Sequence, residues 1–161
     1  MRLYAKENPL TPLALATYCM SMLYLDAGIS SVIVDAVPAI GEMLEQGLQE
    51  LITVHKGSVY LAANPVYPAQ IYKIGYTRLA PQARMRSLGS AGVLGHFVLL
   101  KGWSSKLPVL TERKIHQTLQ PYRAQGELYQ APYALLHEVI EAQLERESLL
   151  IHELFKIASG V

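Results

Sequence analysis

The chain has 161 residues, of which 51% are hydrophobic, so it can bury a substantial core, and its length favours one domain with an extension. Cys19 is the only cysteine, which excludes an internal disulfide and a metal site built from the thiolates of one chain. A reducing compartment fits this cysteine usage. We expect a cytoplasmic protein in which Cys19 is a small buried hydrophobic residue.

Charge is distributed unevenly along the chain, although the formal net charge is only +1. Residues 57–130 contain nine Lys or Arg and two acidic residues, whereas residues 1–56 contain three and six, and residues 131–161 contain two and five. A cationic segment between two acidic ones indicates a surface for a polyanion in the middle segment. We therefore expect a helical N-terminal extension (1–56), a basic domain (57–130) and a C-terminal helix (131–161).

The N-terminal extension is predicted to be helical. Thr11 followed by Pro12 is a typical helix start, and we expect the first helix to span 12–26. Its surface is apolar nearly all round, which predicts burial on more than one side. A second helical stretch begins near Ser30 or Ser31, is interrupted at Pro38 and resumes with an amphipathic pattern.

Two functions fit this extension: packing or protein partnering, and a DNA-binding helix-turn-helix. Its three cations leave too few phosphate contacts for DNA binding, so packing or partnering is favoured. Residues 8–25 carry no charge, but their polar residues and prolines argue against a membrane span, and Glu7 argues against a positively charged leader. We therefore expect a soluble chain without membrane association, which forms a homodimer or binds a partner protein through residues 1–56 and the C-terminal helix.

The middle segment opens with a predicted β-hairpin. Strands over Ser58–Ala62 and Ile71–Tyr76 alternate their side chains between two faces, one for packing and one for a ligand. The connection contains Pro65 and Pro68, where a missing backbone donor has no cost. Gly75 leaves room for the close approach of another backbone or of a phosphate.

The remaining segments predict a small mixed fold. An apolar strand over 94–100 is expected to be largely buried, with Trp103 closing it. The other segments are helices over 81–88 and 108–119, a short strand or turn over 127–130, and a long helix over 132–158. The expected fold class is therefore α+β: a small three-stranded mixed or antiparallel sheet flanked by helices, with an N-terminal helical extension and a long C-terminal helix.

Several short motifs follow one another along the middle segment. They are Ser58-Val59-Tyr60, Lys73-Ile74-Gly75 with Thr77, Arg84, Glu112 in ERKIH, Tyr122-Arg123 and Glu127-Leu128-Tyr129. In this order they resemble the GIY-YIG nuclease superfamily, whose first two motifs are Gly-Ile-Tyr and Tyr-Ile-Gly. The branch that they resemble is found in phages and bacteria, and has Tyr-Lys-Ile-Gly as its second motif and Glu-x-x-x-His on its glutamate helix. The resemblance implies a GIY-YIG-like nuclease domain over 57–130.

The resemblance further implies a metal-dependent endonuclease that hydrolyses phosphodiester bonds of nucleic acid, with DNA as the expected substrate and Mg²⁺, or alternatively Mn²⁺, as cofactor. Glu112 is the implied metal ligand, because Mg²⁺ binds through one or two carboxylates with water and substrate oxygens. Arg84 is expected to grip the phosphate, and Tyr60 to orient or deprotonate the attacking water. Lys73 is the implied cationic neighbour of Tyr60. His116, four residues after Glu112, would donate a proton to the leaving oxygen or orient the glutamate.

Other polar residues of the middle segment are expected to bind nucleic acid. They are Thr77, Arg78, Arg86, Arg113 and Arg123. Glu127 is expected either to be a second carboxylate at the site or to pair with Arg123. The chain departs from the family pattern at Lys73, where the wider family has tyrosine, at Arg123, near an expected asparagine, and at Gly126, in place of an arginine.

Two other functions are compatible with the same sequence. The basic face could belong to a catalytically weak or inactive DNA-binding module whose N-terminus contacts another protein. Alternatively, the chain could be a toxin or effector nuclease with a cognate inhibitor. Cleavage assays with and without Mg²⁺ discriminate between an enzyme and a binding module.

Overall fold

The computed structural model describes residues 11–24, 31–89 and 94–160, and within them it contains five α-helices and five β-strands. The helices are α1 Pro12–Tyr24, α2 Ser31–His55, α3 Pro81–Leu88, α4 Pro108–Thr118 and α5 Tyr133–Ser159. The strands are β1 Gly57–Ala63, β2 Ile71–Thr77, β3 Val98–Ser105, β4 Arg123–Gln125 and β5 Leu128–Gln130. The chain forms two compact units, one of residues 55–147 and one of residues 1–54 with 148–161, and α5 contributes to both.

The helical unit comprises α1, nearly all of α2 and the last part of α5. The start of α1 is capped as predicted, because Thr11 Oγ1 accepts a hydrogen bond from the backbone N–H of Ala14 at 3.2 Å. A Cβ atom added at Gly47 would lie 1.9 Å from the carbonyl oxygen of Pro12, so glycine at this position allows α1 to start directly against α2. Each of the three helices contributes buried side chains. They are Leu15, Ala16, Cys19, Met20, Leu44, Leu48, Leu51, Ile151, Leu154 and Ala158.

The predicted bounds of these helices need two corrections. α1 is described as far as Tyr24, and residues 25 and 26 of the predicted helix lie outside the described residues. The predicted interruption at Pro38 is wrong, because α2 runs without a break from Ser31 to His55. A proline removes one backbone hydrogen bond and can bend a helix without ending it. Among the described helices, none is long and apolar enough to cross a membrane.

The unit of residues 55–147 is built on a five-stranded sheet in the order β3-β1-β2-β5-β4, in which all neighbouring strands are antiparallel. The α+β class is confirmed, but the predicted number of three strands is wrong because β4 and β5 also join the sheet. β5 confirms the strand alternative of the short strand or turn predicted over 127–130. β4 was not predicted, because its three residues are too few for an alternating pattern to be recognised in the sequence. In the described sheet, β5 pairs with β2 over Ile71–Lys73, so the end of β2 at Gly75–Thr77 extends beyond β5.

β3 differs from the predicted third strand in position and in burial. It spans Val98–Ser105 rather than 94–100, and Trp103 lies inside it instead of closing it. β3 is an edge strand that pairs with β1, and Val98 and Leu100 are 50% and 42% exposed. The prediction of a largely buried strand is therefore wrong, because an antiparallel edge strand needs only one covered face, whatever the apolar content of its other face.

Alternate residues of β1 point to opposite faces of the sheet, as predicted. One face carries the larger core, against α4 and α5. Its buried members include Val59, Leu61, Ile74, Ile115, Leu119, Tyr129, Leu136 and Ile140. On the other face, Tyr60 and Ala62 pack with Met85 of α3 and with Phe97 in a smaller cluster. The candidate site develops beside this smaller cluster.

Candidate active site

A cleft with a volume of about 430 Å³ opens at the end of β2 in the unit of residues 55–147. We call it the first cleft. Its lining comes from β1, β2 and the loop after it, α3, α4 and the turn between β4 and β5: Tyr60, Gly75, Tyr76, Thr77, Arg78, Leu79, Arg84, Glu112 and Glu127. Three of the predicted catalytic residues, Tyr60, Arg84 and Glu112, therefore meet at one cleft although they come from three separate elements.

Tyr60 and Gly75 are direct cross-strand partners in β1 and β2. A Cβ atom added at Gly75 would lie 2.5 Å from the Tyr60 hydroxyl oxygen and 2.7 Å from its Cζ atom. The room at Gly75 is thus taken by the Tyr60 ring, and not by the other backbone or the phosphate that the sequence suggested. Glycine at this position positions the tyrosine, since any larger side chain would displace the ring.

The environment of Tyr60 sets its protonation. Burial raises the pKa of its phenol, since the residue is only 1% exposed, and Arg84 acts in the opposite direction by hydrogen bonding and charge. Glu127 and Glu112 raise the pKa further. Tyr60 is therefore a neutral phenol at neutral pH, which suits it to orient a water molecule by hydrogen bonding rather than to deprotonate it.

Arg84 lies on α3 and is partly buried at the first cleft. Its Nη1 atom donates to Ser87 Oγ at 3.3 Å, while its buried Nε atom has no hydrogen-bond partner among the described residues. A guanidinium at a cleft is suited to bind an anion, because it is always charged and carries several N–H donors. Arg86, two residues further on, is exposed and is not among the described residues that line this cleft.

Glu112 and His116 lie four residues apart on α4, and each side chain is 13% exposed. The buried face of α4 carries Thr111 and Ile115. His116 Nε2 is 3.2 Å from Glu112 Oε1, but the approach lacks hydrogen-bond geometry, so the buried Nε2 has no hydrogen-bond partner among the described residues.

Tyr129 holds the other side of the His116 ring. Its hydroxyl group is hydrogen-bonded to His116 Nδ1, and it accepts a hydrogen bond from Arg123 Nη2 at 3.4 Å. Burial raises the pKa of Tyr129, with Arg123 opposing the shift, so the phenol keeps its proton. The contact at Nδ1 leaves Nε2 of the same ring facing Glu112.

No catalytic or binding role was predicted for Tyr129. It lies on β5, directly opposite Tyr72 of β2, and it is completely buried. A buried tyrosine on a strand is usually a packing residue. Its contact with His116 depends on the pairing of β5 with β2, which no local sequence pattern predicts.

Lys73 and Glu127 form an ion pair, with 13% and 51% of their side chains exposed. The pair arises because Lys73 is the register partner of Leu128, the residue after Glu127. Glu127 therefore pairs with Lys73 instead of the expected Arg123. Lys73 is not among the described residues that line the cleft, whereas Glu127 is. The structure thus places Lys73 behind Glu127, and its predicted catalytic role would act through that carboxylate.

Thr77 and Arg78 both line the first cleft, but only Arg78 is accessible. Thr77 is 5% exposed, and its Oγ1 accepts a hydrogen bond from the backbone N–H of Leu79 at 3.0 Å. Its hydroxyl group therefore stabilises the loop that follows β2. Arg78 contacts His55 Nδ1 through Nη2 at 3.1 Å at the surface, from where a guanidinium can exchange partners at low cost.

A second cleft, also of about 430 Å³, adjoins the first. It is lined by Val109, Glu112, Arg113, His116, Arg123, Gly126 and Glu127. Glu112 and Glu127 line both clefts. Of the residues predicted to bind nucleic acid, the first cleft thus contains Thr77 and Arg78, the second contains Arg113 and Arg123, and Arg86 lies outside the described lining of both.

The donors around Glu112 determine which kind of metal site the clefts can form. Among the described residues, no group of three or more His, Cys, Asp or Glu is arranged to hold a metal ion. Glu112 and Glu127 nevertheless share two clefts, and carboxylate oxygens are the ligands that Mg²⁺ prefers. The side chains therefore fit a Mg²⁺ ion held by one or two carboxylates, with water and phosphate oxygens in its remaining positions.

Comparison with known proteins identifies a family for this unit. The family model of the T5orf172 domain matches residues 57–144, which is more than half of the chain, while no curated protein and no solved structure matched it. This finding corrects the resemblance to the GIY-YIG nuclease superfamily, because the model that matches describes a different domain family. The motifs behind that resemblance are short and leave most positions of the domain undetermined. Because the matched residues include the whole sheet, α3, α4 and the residues of both clefts, the chain belongs to the T5orf172 domain family.

Proposed function

We propose that the unit of residues 55–147 is a nuclease that hydrolyses phosphodiester bonds of nucleic acid, with DNA as the expected substrate and Mg²⁺ as the expected cofactor. The observation that carries this proposal is the convergence of Tyr60, Arg84 and Glu112 on the first cleft. Membership in the T5orf172 domain family supports a nucleic-acid-related role. The excess of cations in residues 57–130 supports a polyanionic substrate.

In the proposed reaction, Arg84 binds oxygens of the scissile phosphate. Arg84 lines the first cleft, and a guanidinium stays charged as negative charge grows on the phosphorus oxygens. Such a donor contributes most when it is aimed at the transition state. Arg84 is therefore the residue whose loss should affect the rate more than binding.

Tyr60 orients the attacking water as a neutral phenol. The water oxygen forms a bond to phosphorus, the bond from phosphorus to the leaving oxygen breaks, and the proton lost by the water is balanced by the proton that the leaving oxygen takes up. The raised pKa of Tyr60 supports an orienting role over that of a base. When bound, Mg²⁺ would neutralise phosphate charge and acidify a coordinated water.

Glu112 is the carboxylate that would hold the metal, and His116 is the residue that orients it. The imidazole is held on one side by the Tyr129 hydroxyl group, and its Nε2 faces Glu112 on the other. This arrangement favours the orienting role over proton donation to the leaving oxygen, because Nε2 faces the carboxylate.

A second candidate is a DNA-binding module without catalysis. It is favoured by a specific observation: among the described residues, no group of three or more His, Cys, Asp or Glu is arranged to hold a metal ion. In that case, the cations of residues 57–130 would bind phosphates without selecting one of them for cleavage.

The comparison of Arg84→Ala with Arg86→Ala tests the proposal, because both remove one guanidinium from α3 and only Arg84 lines the first cleft. We expect Arg84→Ala to lower kcat/KM for Mg²⁺-dependent cleavage of a DNA duplex about a hundredfold. Arg86→Ala should weaken binding slightly and reduce the slope of log affinity against log salt by at most about one. Cleavage is measured on labelled duplexes, and binding by anisotropy over a range of salt concentrations.

Two outcomes would contradict the proposal. If the parent protein cleaved neither DNA nor RNA with Mg²⁺ or Mn²⁺, the binding module would be the better description. If cleavage occurred but the two variants were equally active, the first cleft would not be the site of the reaction.

A further inference from the structure

The second cleft adjoins the first and carries Glu112 and His116 of the proposed chemistry, but its arginines take no part in that chemistry. The two clefts share Glu112 and Glu127. A polynucleotide whose scissile phosphate is bound beside Arg84 would therefore continue past these two carboxylates. The side chains that line only the second cleft would therefore contact the next part of that strand.

Arg113 and Arg123 are the cations that line the second cleft alone. They come from α4 and β4, and both are exposed. Arg123 is also held in place, because its Nη2 donates to Tyr129 Oη at 3.4 Å and its guanidinium lies 5.9 Å from the centre of the Tyr129 ring. A guanidinium fixed by a buried phenol loses little conformational entropy when it binds a phosphate.

The turn that closes this cleft is shaped by its backbone. Gly126 has a φ angle of +54°, and a Cβ atom added there would meet nothing within 4 Å. Glycine is thus favoured by the left-handed conformation and not by lack of space. Glu127, the next residue of this turn, lines both clefts.

We infer that the second cleft binds the phosphate next to the scissile one on the same strand, through Arg113 and Arg123. The inference rests on the proposed function, and it adds a substrate requirement: efficient cleavage needs a strand that continues for at least one phosphodiester beyond the cleaved bond. Two arginines on different elements can contact the two non-bridging oxygens of one phosphate. The shared carboxylates separate this phosphate from the one at Arg84.

Single methylphosphonate linkages test this requirement, because they remove the charge of one chosen phosphate. Duplexes with one preferred cleavage position carry the neutral linkage either one position before or one position after it. For the parent protein, we expect the neutral linkage on one of the two sides to lower kcat/KM, and affinity measured without a metal, about tenfold. In Arg123→Ala the same linkage should have almost no further effect on either quantity, because the phosphate has already lost its partner.

Lys106→Ala is the control, since it also removes one positive charge and Lys106 is exposed and outside the described lining of both clefts. It should show the same tenfold sensitivity to the neutral linkage as the parent protein. If the neutral linkage changed neither kcat/KM nor the affinity of the parent protein on either side, the inference would be overturned and the nuclease proposal would stand. Equal sensitivity in the parent and in Arg123→Ala would also overturn it. Absence of cleavage of every substrate by the parent would overturn the proposed function and this inference together.

Discussion

Two glutamates near helix α4 have opposite roles. Glu147 is hydrogen-bonded to the residue before the helix, and Glu112 lies on the helix itself. Glu147 of α5 is 4% exposed. Its Oε1 atom accepts a hydrogen bond from Ser105 Oγ at 2.8 Å and another from the backbone N–H of Leu107, the residue before α4. Glu112 has a side chain that is 13% exposed, lines two clefts, and is approached by His116 without hydrogen-bond geometry.

The difference separates a carboxylate that stabilises the fold, Glu147, from one that lines the clefts, Glu112. A buried carboxylate is costly unless donors satisfy it, and Glu147 is satisfied by the end of β3 and the start of α4. It therefore fixes where α4 begins. Glu112, one turn further along the same helix, keeps its oxygens available to the clefts. Replacing one glutamate at a time separates the two roles.

The largest effect is expected from Glu112→Gln. Cleavage with Mg²⁺ should fall at least about a hundredfold, because the neutral amide is a poor metal ligand. DNA affinity and the free energy of unfolding should remain nearly unchanged, since the cations and the core stay in place. Single-turnover cleavage, anisotropy and urea denaturation measure the three quantities. Glu145→Gln, at an exposed position of α5, is the control and should behave as the parent, whereas full activity of Glu112→Gln would disprove its role.

Glu147→Ala should reverse this pattern. We expect a loss of about 3 kcal/mol in the free energy of unfolding, because the Ser105 hydroxyl and the Leu107 N–H would be left buried without their acceptor. Glu147→Gln retains an acceptor oxygen and should lose less. Urea denaturation followed by circular dichroism gives both values. If Glu147→Ala were as stable as the parent, the start of α4 would not depend on this contact.

The smallest effect concerns a third carboxylate, Glu141, which is exposed on α5. Hydrogen bonds from Trp103 Nε1 at 3.2 Å and from Lys101 Nζ at 3.1 Å lower its pKa, and His137 adds to the shift. A lowered pKa in the folded state stabilises the protein above the ordinary glutamate pKa of ~4.3, and this contribution is lost as the pH falls through the lowered pKa.

Glu141→Gln should therefore be slightly less stable than the parent at neutral pH, and the difference should shrink at about pH 3. Urea denaturation at both pH values measures it. A difference that grew as the pH fell would contradict the sign of the shift. The expected size is small because exposed ion pairs contribute little to stability.

Motif order in the sequence led to Tyr60, Arg84 and Glu112, and the structure brings these three together. Of the two expectations for Glu127, pairing with Arg123 is wrong, because strand register places Lys73 beside it while Arg123 contacts Tyr129. The other, a second carboxylate at the site, stays a prediction. Tyr129 was named only as part of a motif and given no role, and Glu147 was not singled out. Both have their roles through contacts with distant residues, and neither has a local pattern that distinguishes it from a packing tyrosine or a surface glutamate.

The sequence by itself determined the local features of this protein: the cap of α1 at Thr11, the hairpin of β1 and β2, the two faces of β1 and the start of α3 at Pro81. Each depends on residues a few positions apart, so propensity and periodicity are sufficient. Only the tertiary structure decided that the sheet has five strands and which polar groups meet. The contacts of Lys73 with Glu127 and of Leu107 with Glu147 join residues 54 and 40 positions apart. The partner of a buried or charged group at such a separation is set by the path of the chain, and no local pattern encodes that path.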